Sequence, residues 1–260
     1  MRLIEVVDFR EKVYFLPLGD VHLGAKGVDI VKLKGYINWI KENPAYTFLL
    51  GDIFDTATID SPTSPFEQEM NINDAYNYAI ELFYPIKKKI VGAIIGNHEL
   101  RIRKYAGFDI MQSLCKFLNI PYCEYSAVVR FRIGKYIRKN KSVSPNIEYI
   151  FFLHHGIGST DTIGGKANKV KKLSDIFIGA DAYIIGHSHA KFPYEDKFFY
   201  LSKSGNGKAN IKEKRVLFVI AGSFLKYDGT YAEQKMLKPA VEGAIRIRMN
   251  GEKKDLHIAQ

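Results

Sequence analysis

Residues 182–189 read AYIIGHSH. The apolar, largely β-branched half has the form of a short buried strand, and Gly186 ends it. His187 and His189 follow one residue apart, a spacing that places both imidazoles on one face of an extended chain. Alone, such a pair reads first as two surface histidines. Its meaning comes from what the chain does at the ends of its other apolar runs.

The same grammar recurs four times elsewhere in the chain. VYFLPLG (13–19) ends in Asp20-Val21-His22, and YTFLLG (46–51) ends in Asp52-Ile53-Phe54-Asp55. IVGAIIG (90–96) ends in Asn97-His98-Glu99, and EYIFFL (148–153) ends in His154-His155-Gly156. A further run, VLFVIA, occupies 216–221. Residues 29–43, 71–89 and 107–119 carry apolar positions near a 3.6 period, the last two opening near Asn71 and Gly107, and are predicted helices. Strands alternating with helices indicate α/β layers, in which the C-terminal strand edge is where sites are built.

One Asp or His after a strand is ordinary turn chemistry. Five strands in succession that deliver Asp, Asn or His, and never Lys, supply ligands for divalent transition metals. Cysteine is absent from all five stretches, which argues against a thiolate-rich structural zinc site. The candidates Asp20, His22, Asp52, Asn97, His154, His187 and His189 outnumber what one ion needs. Two ions about 3.5–4 Å apart, sharing a carboxylate and a bridging water, would use them all.

The remaining composition sets bounds. The 260 residues, 47% of them hydrophobic, are expected to form a single domain, with excursions at 56–70 and 134–146. No stretch approaches the roughly 20 apolar residues of a membrane span, so no membrane partner is expected. Glu5, Asp8 and Glu11 interrupt the N-terminal apolar run, unlike a signal peptide. With only Cys115 and Cys123 present, a cytoplasmic location is expected. After residue 190 the pattern turns strand-rich, with SKSGNGK (202–208) as a turn. The net charge of +10 gathers at 101–104, at 130–141 and at Lys166, Lys169, Lys171 and Lys172. Such clusters are either a solvated surface or a field that attracts polyanions, nucleic acid above all.

In this order the five stretches resemble the calcineurin-like metallophosphoesterase superfamily, whose pattern is D-x-H, G-D-x-x-D, G-N-H-E/D, H and G-H-x-H. The likeness runs from residue 13 to about residue 225. It implies a four-layer αββα sandwich: two mixed β-sheets packed face to face with helices outside. It also implies that Asp20, His22 and His189 hold a first ion, that Asp52 bridges, and that Asn97, His154 and His187 hold a second. His154 is favoured over His155 because the ligand in similar sequences commonly lies at the strand end, ahead of an x-Gly pair; His155 then supports the site or faces substrate. The resemblance makes His98 the group that protonates the leaving oxygen, oriented by Asp55, with Glu99 as a cap or support. Manganese is the expected ion, with Fe²⁺, Zn²⁺ and Ni²⁺ as alternatives.

The implied activity is two-metal hydrolysis of phosphodiesters. Three features lean toward nucleic acid: the basic balance, the likeness of GDIFD to G-D-L-F-D in the Mre11-type nuclease branch, and the Gly- and Lys-bearing stretch 154–172. The stretch 154–172 also resembles small phosphoesterases of phage and archaeal genomes. Arg101 and Lys166 are candidate substrate contacts. A phosphomonoesterase acting on a nucleotide, protein or metabolite is the alternative. A binding scaffold without turnover is a third reading, opposed by the completeness of the ligand set. Oligomeric state is not legible.

Overall fold

A computed structural model of the chain describes residues 1–59, 61, 64–137, 143–158, 160, 162–203, 209–234, 236 and 238–259. In chain order its elements are β1 (Arg2–Asp8), β2 (Lys12–Leu18), α1 (Ile30–Glu42), β3 (Ala45–Leu49), α2 (Ile72–Phe83), β4 (Ile90–Ala93), α3 (Asn97–Ala106), α4 (Ile110–Leu118) and β5 (Ser126–Ile133). There follow β6 (Tyr136–Ile137), β7 (Val143–Ser144), β8 (Ile147–His154), α5 (Ile163–Lys171), α6 (Leu173–Ile176), β9 (Ala182–Ile185), β10 (Lys191–Lys203), β11 (Ala209–Ala221), α7 (Tyr231–Gln234), β12 (Arg246–Asn250) and β13 (Leu256–Ala259).

The strands form two large mixed sheets, ordered β1-β5-β8-β9-β11-β10 and β13-β12-β2-β3-β4. In the first, β8, β9 and β11 run parallel. In the second, β2, β3 and β4 do. These six strands are the apolar runs of the sequence. They lack alternation because both of their faces are covered. Between the sheets, Phe15 and Phe48 of the second meet Phe131, Phe151, Ile184 and Val219 of the first. Outside the second sheet, Leu33, Ile37, Ala79 and Leu114 of α1, α2 and α4 pack on Leu16 and Leu49. Outside the first, Val170 and Leu173 of α5 and α6 pack on Phe152, Tyr183 and Phe218. The layers are therefore helix, sheet, sheet, helix.

Local chemistry explains the helix ends. Asp29, Asn71 and Asp109 each accept a hydrogen bond from the backbone N–H three residues on, at 2.8–3.0 Å, satisfying donors the helix leaves free. Gly107, expected to open the helix over 107–119, instead closes α3 with φ +64°, and Asp109 opens α4. A glycine tolerates that left-handed conformation, which suits a helix end. The predicted helix over 71–89 ends at Phe83 and continues as a 3₁₀ turn over Tyr84–Lys89. Pro85 lacks the N–H that an α-helix would need there.

The polar excursions take partial form. Within 134–146, β6 and β7 pair as a two-residue antiparallel ladder, and residues 138–142 lie outside the described residues. In 56–70, Pro65–Glu67 makes a 3₁₀ turn and Glu69 donates its N–H to Gly24 O at 2.8 Å; residues 60, 62 and 63 lie outside the described set. The turn expected over 202–208 also falls largely outside it, between β10 and β11, which pair over their full length. Cys115 and Cys123 are buried free thiols. No helix among the described residues is long and apolar enough to cross a membrane.

Candidate metal centre

The parallel strands of both sheets end at one place. β2 and β3 lead into Asp20, His22 and Asp52, and β4 leads into Asn97 and His98. β8 and β9, from the other sheet, lead into His155, His187 and His189. Asp20, His22, Asp52, His187 and His189 all have positive φ, between 46° and 61°. Asp and His tolerate this region better than most residues, at about 1–3 kcal/mol each, and such conformations concentrate at functional sites. Neighbouring backbone holds them: Val21 N–H and His22 N–H both donate to Asp52 O, at 2.8 and 3.0 Å.

Three donor groups overlap around Asp52, one of them His22, Asp52 and His98, and the other two flank it. In the first of these two, Asp20, His22 and His189 lie together; His189 Nε2 is 3.4 Å from Asp20 Oδ1 and 3.1 Å from His22 Nε2. In the second, Asp52, His155 and His187 lie together. His155 Nε2 is 3.2 Å from Asp52 Oδ2, and Asn97 Oδ1 is 3.0 Å from His155 Nε2 and 2.7 Å from His187 Nδ1. Asp20 is fixed by the His187 N–H, at 2.8 and 3.0 Å to its two oxygens.

The electrostatics fit cations. Asp20, Asp52 and Asp55 are all buried. Burial opposes their ionisation, yet the charges of His155 and His98 hold the Asp52 carboxyl well below its usual range. For His155 burial again opposes the charge, and Asp52 prevails, pushing the imidazole up to about 10. His22 Nδ1 is buried with no hydrogen-bond partner among the described residues. Oxygen and imidazole donors, with no thiolate, around a concentration of buried negative charge suit a divalent metal of intermediate softness.

The expectation that His154 joins this cluster is corrected by the structure: His155 occupies the place. Side chains alternate along β8, so Tyr149, Phe151 and Leu153 face the other sheet while Phe152 faces the helices. His155 continues the inner series and reaches Leu50 O across the sheets, at 2.8 Å from Nδ1. His154 falls on the other side, where its Nδ1 accepts from Gly156 N–H at 2.8 Å.

Beside the cluster, His98 Nδ1 makes a short hydrogen bond to Asp55 Oδ1, and Asp55 Oδ2 accepts from Gln68 Nε2 at 3.0 Å. Burial lowers the His98 pKa, but the charge of Asp52 and the bond to Asp55 outweigh it, so the net direction is upward. The Arg101 guanidinium lies 3.2 Å from both His98 ring nitrogens. Lys166 lines the same cavity, as do Glu67 and Gln68 of the 56–70 excursion, so that segment forms part of the wall.

Glu99 carries more of the site than a helix cap would. Fully buried, its carboxylate accepts from Asp52 N, Ile53 N, Phe54 N and Gly96 N, at 2.6–3.0 Å. It therefore sets the path of the loop that carries Asp52 and Asp55. Burial pushes its carboxyl up to about 7, with Asp52 adding to the shift. The signal was present as a Glu at the third position of a helix, following a Gly. That glycine has its own reason: a Cβ on Gly96 would lie 2.1 Å from Asp52 Oδ1 and 2.3 Å from Asp52 N.

Residues 14–191 match a family model described as calcineurin-like phosphoesterase. No curated protein matches the chain. Among solved structures, the NAD nucleotidase NadN of Haemophilus influenzae is similar at 11% identity and a TM-score of 0.43, over 96% of this chain and 49% of its own. Vps29 of Chaetomium thermophilum is similar at 12% identity and a TM-score of 0.35, over 80% of this chain and 98% of its own. The chain thus spans about half the length of NadN.

Proposed function

The chain belongs to the calcineurin-like phosphoesterase family, and from that premise we propose that it is a two-metal phosphodiesterase whose substrates include nucleic acids. The observation that carries this reading is the pair of donor groups joined at Asp52, with the His98–Asp55 pair beside them. Asp20, His22 and His189 would hold one ion, Asn97, His155 and His187 the other, and Asp52 both. When bound, two such ions offset the charge of the ester and lower the pKa of a water to near neutrality. Asn97 supplies an oxygen without adding a charge that would repel phosphate.

The chain's own residues do the rest. Asp55 accepts from His98 Nδ1 and so directs Nε2, with its proton, toward the leaving-group oxygen. Arg101, beside both ring nitrogens, is placed to attract a non-bridging phosphate oxygen. The net charge of +10 favours the approach of polyanions. Manganese is the ion of first choice, with iron and zinc compatible with the same N and O donors.

The test compares bis(p-nitrophenyl) phosphate with p-nitrophenyl phosphate in the presence of Mn²⁺. Faster turnover of the diester is expected. Faster monoester turnover would establish the phosphomonoesterase reading instead, and no turnover with any divalent metal would leave a binding scaffold. His98→Ala should keep its metal, measured by elemental analysis, while kcat falls about 10²–10⁴-fold. A variant as fast as wild type would refute the assigned role.

A further inference from the structure

The cavity of the metal centre does not end at the metal centre. Its volume is about 550 Å³, within the range that encloses a whole organic ligand, whereas a phosphoryl group fills a small part of that. Its far end is built from the segment that follows β11. Val28 and Leu225 form an antiparallel bridge, and Lys226 N–H donates to Gly27 O at 2.9 Å. The buried Thr230 hydroxyl lies 2.9 and 2.8 Å from the carbonyl oxygens of Lys226 and Tyr227. Glu242 is held by Lys32 at 2.8 Å. The wall is thus tied to the segment leading into α1 and to α1 itself.

Two chemistries line it. Leu225, Tyr227 and Val241 offer apolar surface, and Lys26, Lys226 and Lys238 offer cations. Among the described residues none of these lysines has a carboxylate within ion-pair distance, and the Tyr227 ring makes no ring contact. The carboxylates outside the metal cluster are Glu242, which Lys32 neutralises, and Glu67, next to the Gln68 that holds Asp55. These lysines are exposed at the edge of the cavity, and ammonium groups without a carboxylate partner attract an anion. An unstacked tyrosine beside aliphatic side chains suits a flat base, whatever its identity.

We propose that this wall binds the part of the substrate beyond the scissile ester, and that this part is a nucleoside bearing a further phosphate. The base lies on Tyr227 and Leu225, and the second phosphate meets Lys26 and Lys226. This rests on the phosphodiesterase reading and narrows it: the enzyme selects a nucleotide unit by charge and ring shape, without reading its sequence.

The experiment uses a 5′-phosphorylated thymidine dinucleotide and bis(p-nitrophenyl) phosphate, with wild type, Lys26→Ala/Lys226→Ala and Tyr227→Ala. For the dinucleotide, kcat/KM should fall about 10-fold in each variant, mainly through KM. For the small diester, kcat and bound metal should stay within about twofold, the scale of a surface change. Parallel loss on both substrates, or no loss on either, overturns the proposal. So does a wild type that hydrolyses the small diester and ignores the dinucleotide. Calorimetric titration of the dinucleotide separates the two readings. Binding weakened about 10-fold in the variants, with no turnover in any protein, keeps the wall and sinks the phosphodiesterase. Equal binding in all three sinks the wall alone.

Discussion

At the residue scale the site depends on a carboxylate buried beneath it. Glu99 offers two oxygens to four backbone N–H groups of two loops. Glu99→Gln preserves volume but turns one acceptor into an NH₂ that faces donors. Leaving buried donors unpaired costs about 1–3 kcal/mol apiece, so the metal-free variant is expected to lose roughly 2–4 kcal/mol. Urea unfolding measures this, and an unchanged midpoint would show that the four bonds do not hold the loop. The adjacent histidines offer a second contrast. His155→Ala removes a donor that touches both Asp52 and Asn97, whereas His154→Ala removes only a local contact with Gly156. Bound metal should drop in the first variant and persist in the second. Equal loss in both would mean that facing Asp52 is not what counts.

At the element scale, caps and strand parity decide what is visible in a sequence. Asp109 caps α4 and also accepts from the Tyr122 hydroxyl at 2.7 Å. Asp109→Ala therefore strips a cap and orphans a hydroxyl, for an expected loss of about 1–3 kcal/mol, read from thermal unfolding. A change below about 0.5 kcal/mol, the range of an ordinary surface substitution, would mean that solvent replaces both bonds. Gly107 misled as the start of this helix because a glycine beside a polar residue marks an end as readily as a beginning. The buried strands β2, β3, β4, β8 and β9 were legible as uninterrupted apolar runs. The same property hid their parity: EYIFFL offers only Glu148 as a polar residue from which to count, a single signal that puts His154 on its own face and His155 on the inner one. The helix α3 was obscured because its first turn, Asn97-His98-Glu99, also carries the site's chemistry, and its apolar positions are few.

At the scale of the whole molecule, the site requires two sheets with their strand ends side by side, since Asp52 comes from one and His155 from the other. Part of that registration is polar. Asp8, at the end of β1 in the first sheet, accepts from Tyr46 OH of β3 in the second at 3.0 Å. It also accepts from Arg10 N and Nε, at 3.0 and 2.9 Å to Oδ1. Asp8 is 7% exposed. Burial raises its pKa, but the hydrogen bonds from Arg10 and Tyr46 outweigh that and lower it below the ordinary 3.8. A carboxyl depressed in the folded state binds protons more readily when unfolded, so its contribution is complete well above pH 3.8 and is lost as the pH falls through its lowered folded value. Asp8→Asn keeps the shape and removes the charge. At neutral pH it is expected to destabilise by roughly 1.5–3 kcal/mol, the range for hydrogen bonds to a charged group. The gap to wild type should narrow steadily as the medium is acidified below pH 4 or so, because protonation then makes the wild-type side chain neutral as well. Urea titrations of both proteins between pH 7 and pH 2 would follow it. A gap that stays constant across that range would assign the contact's value to shape, and the polar link between the sheets would no longer account for their registration.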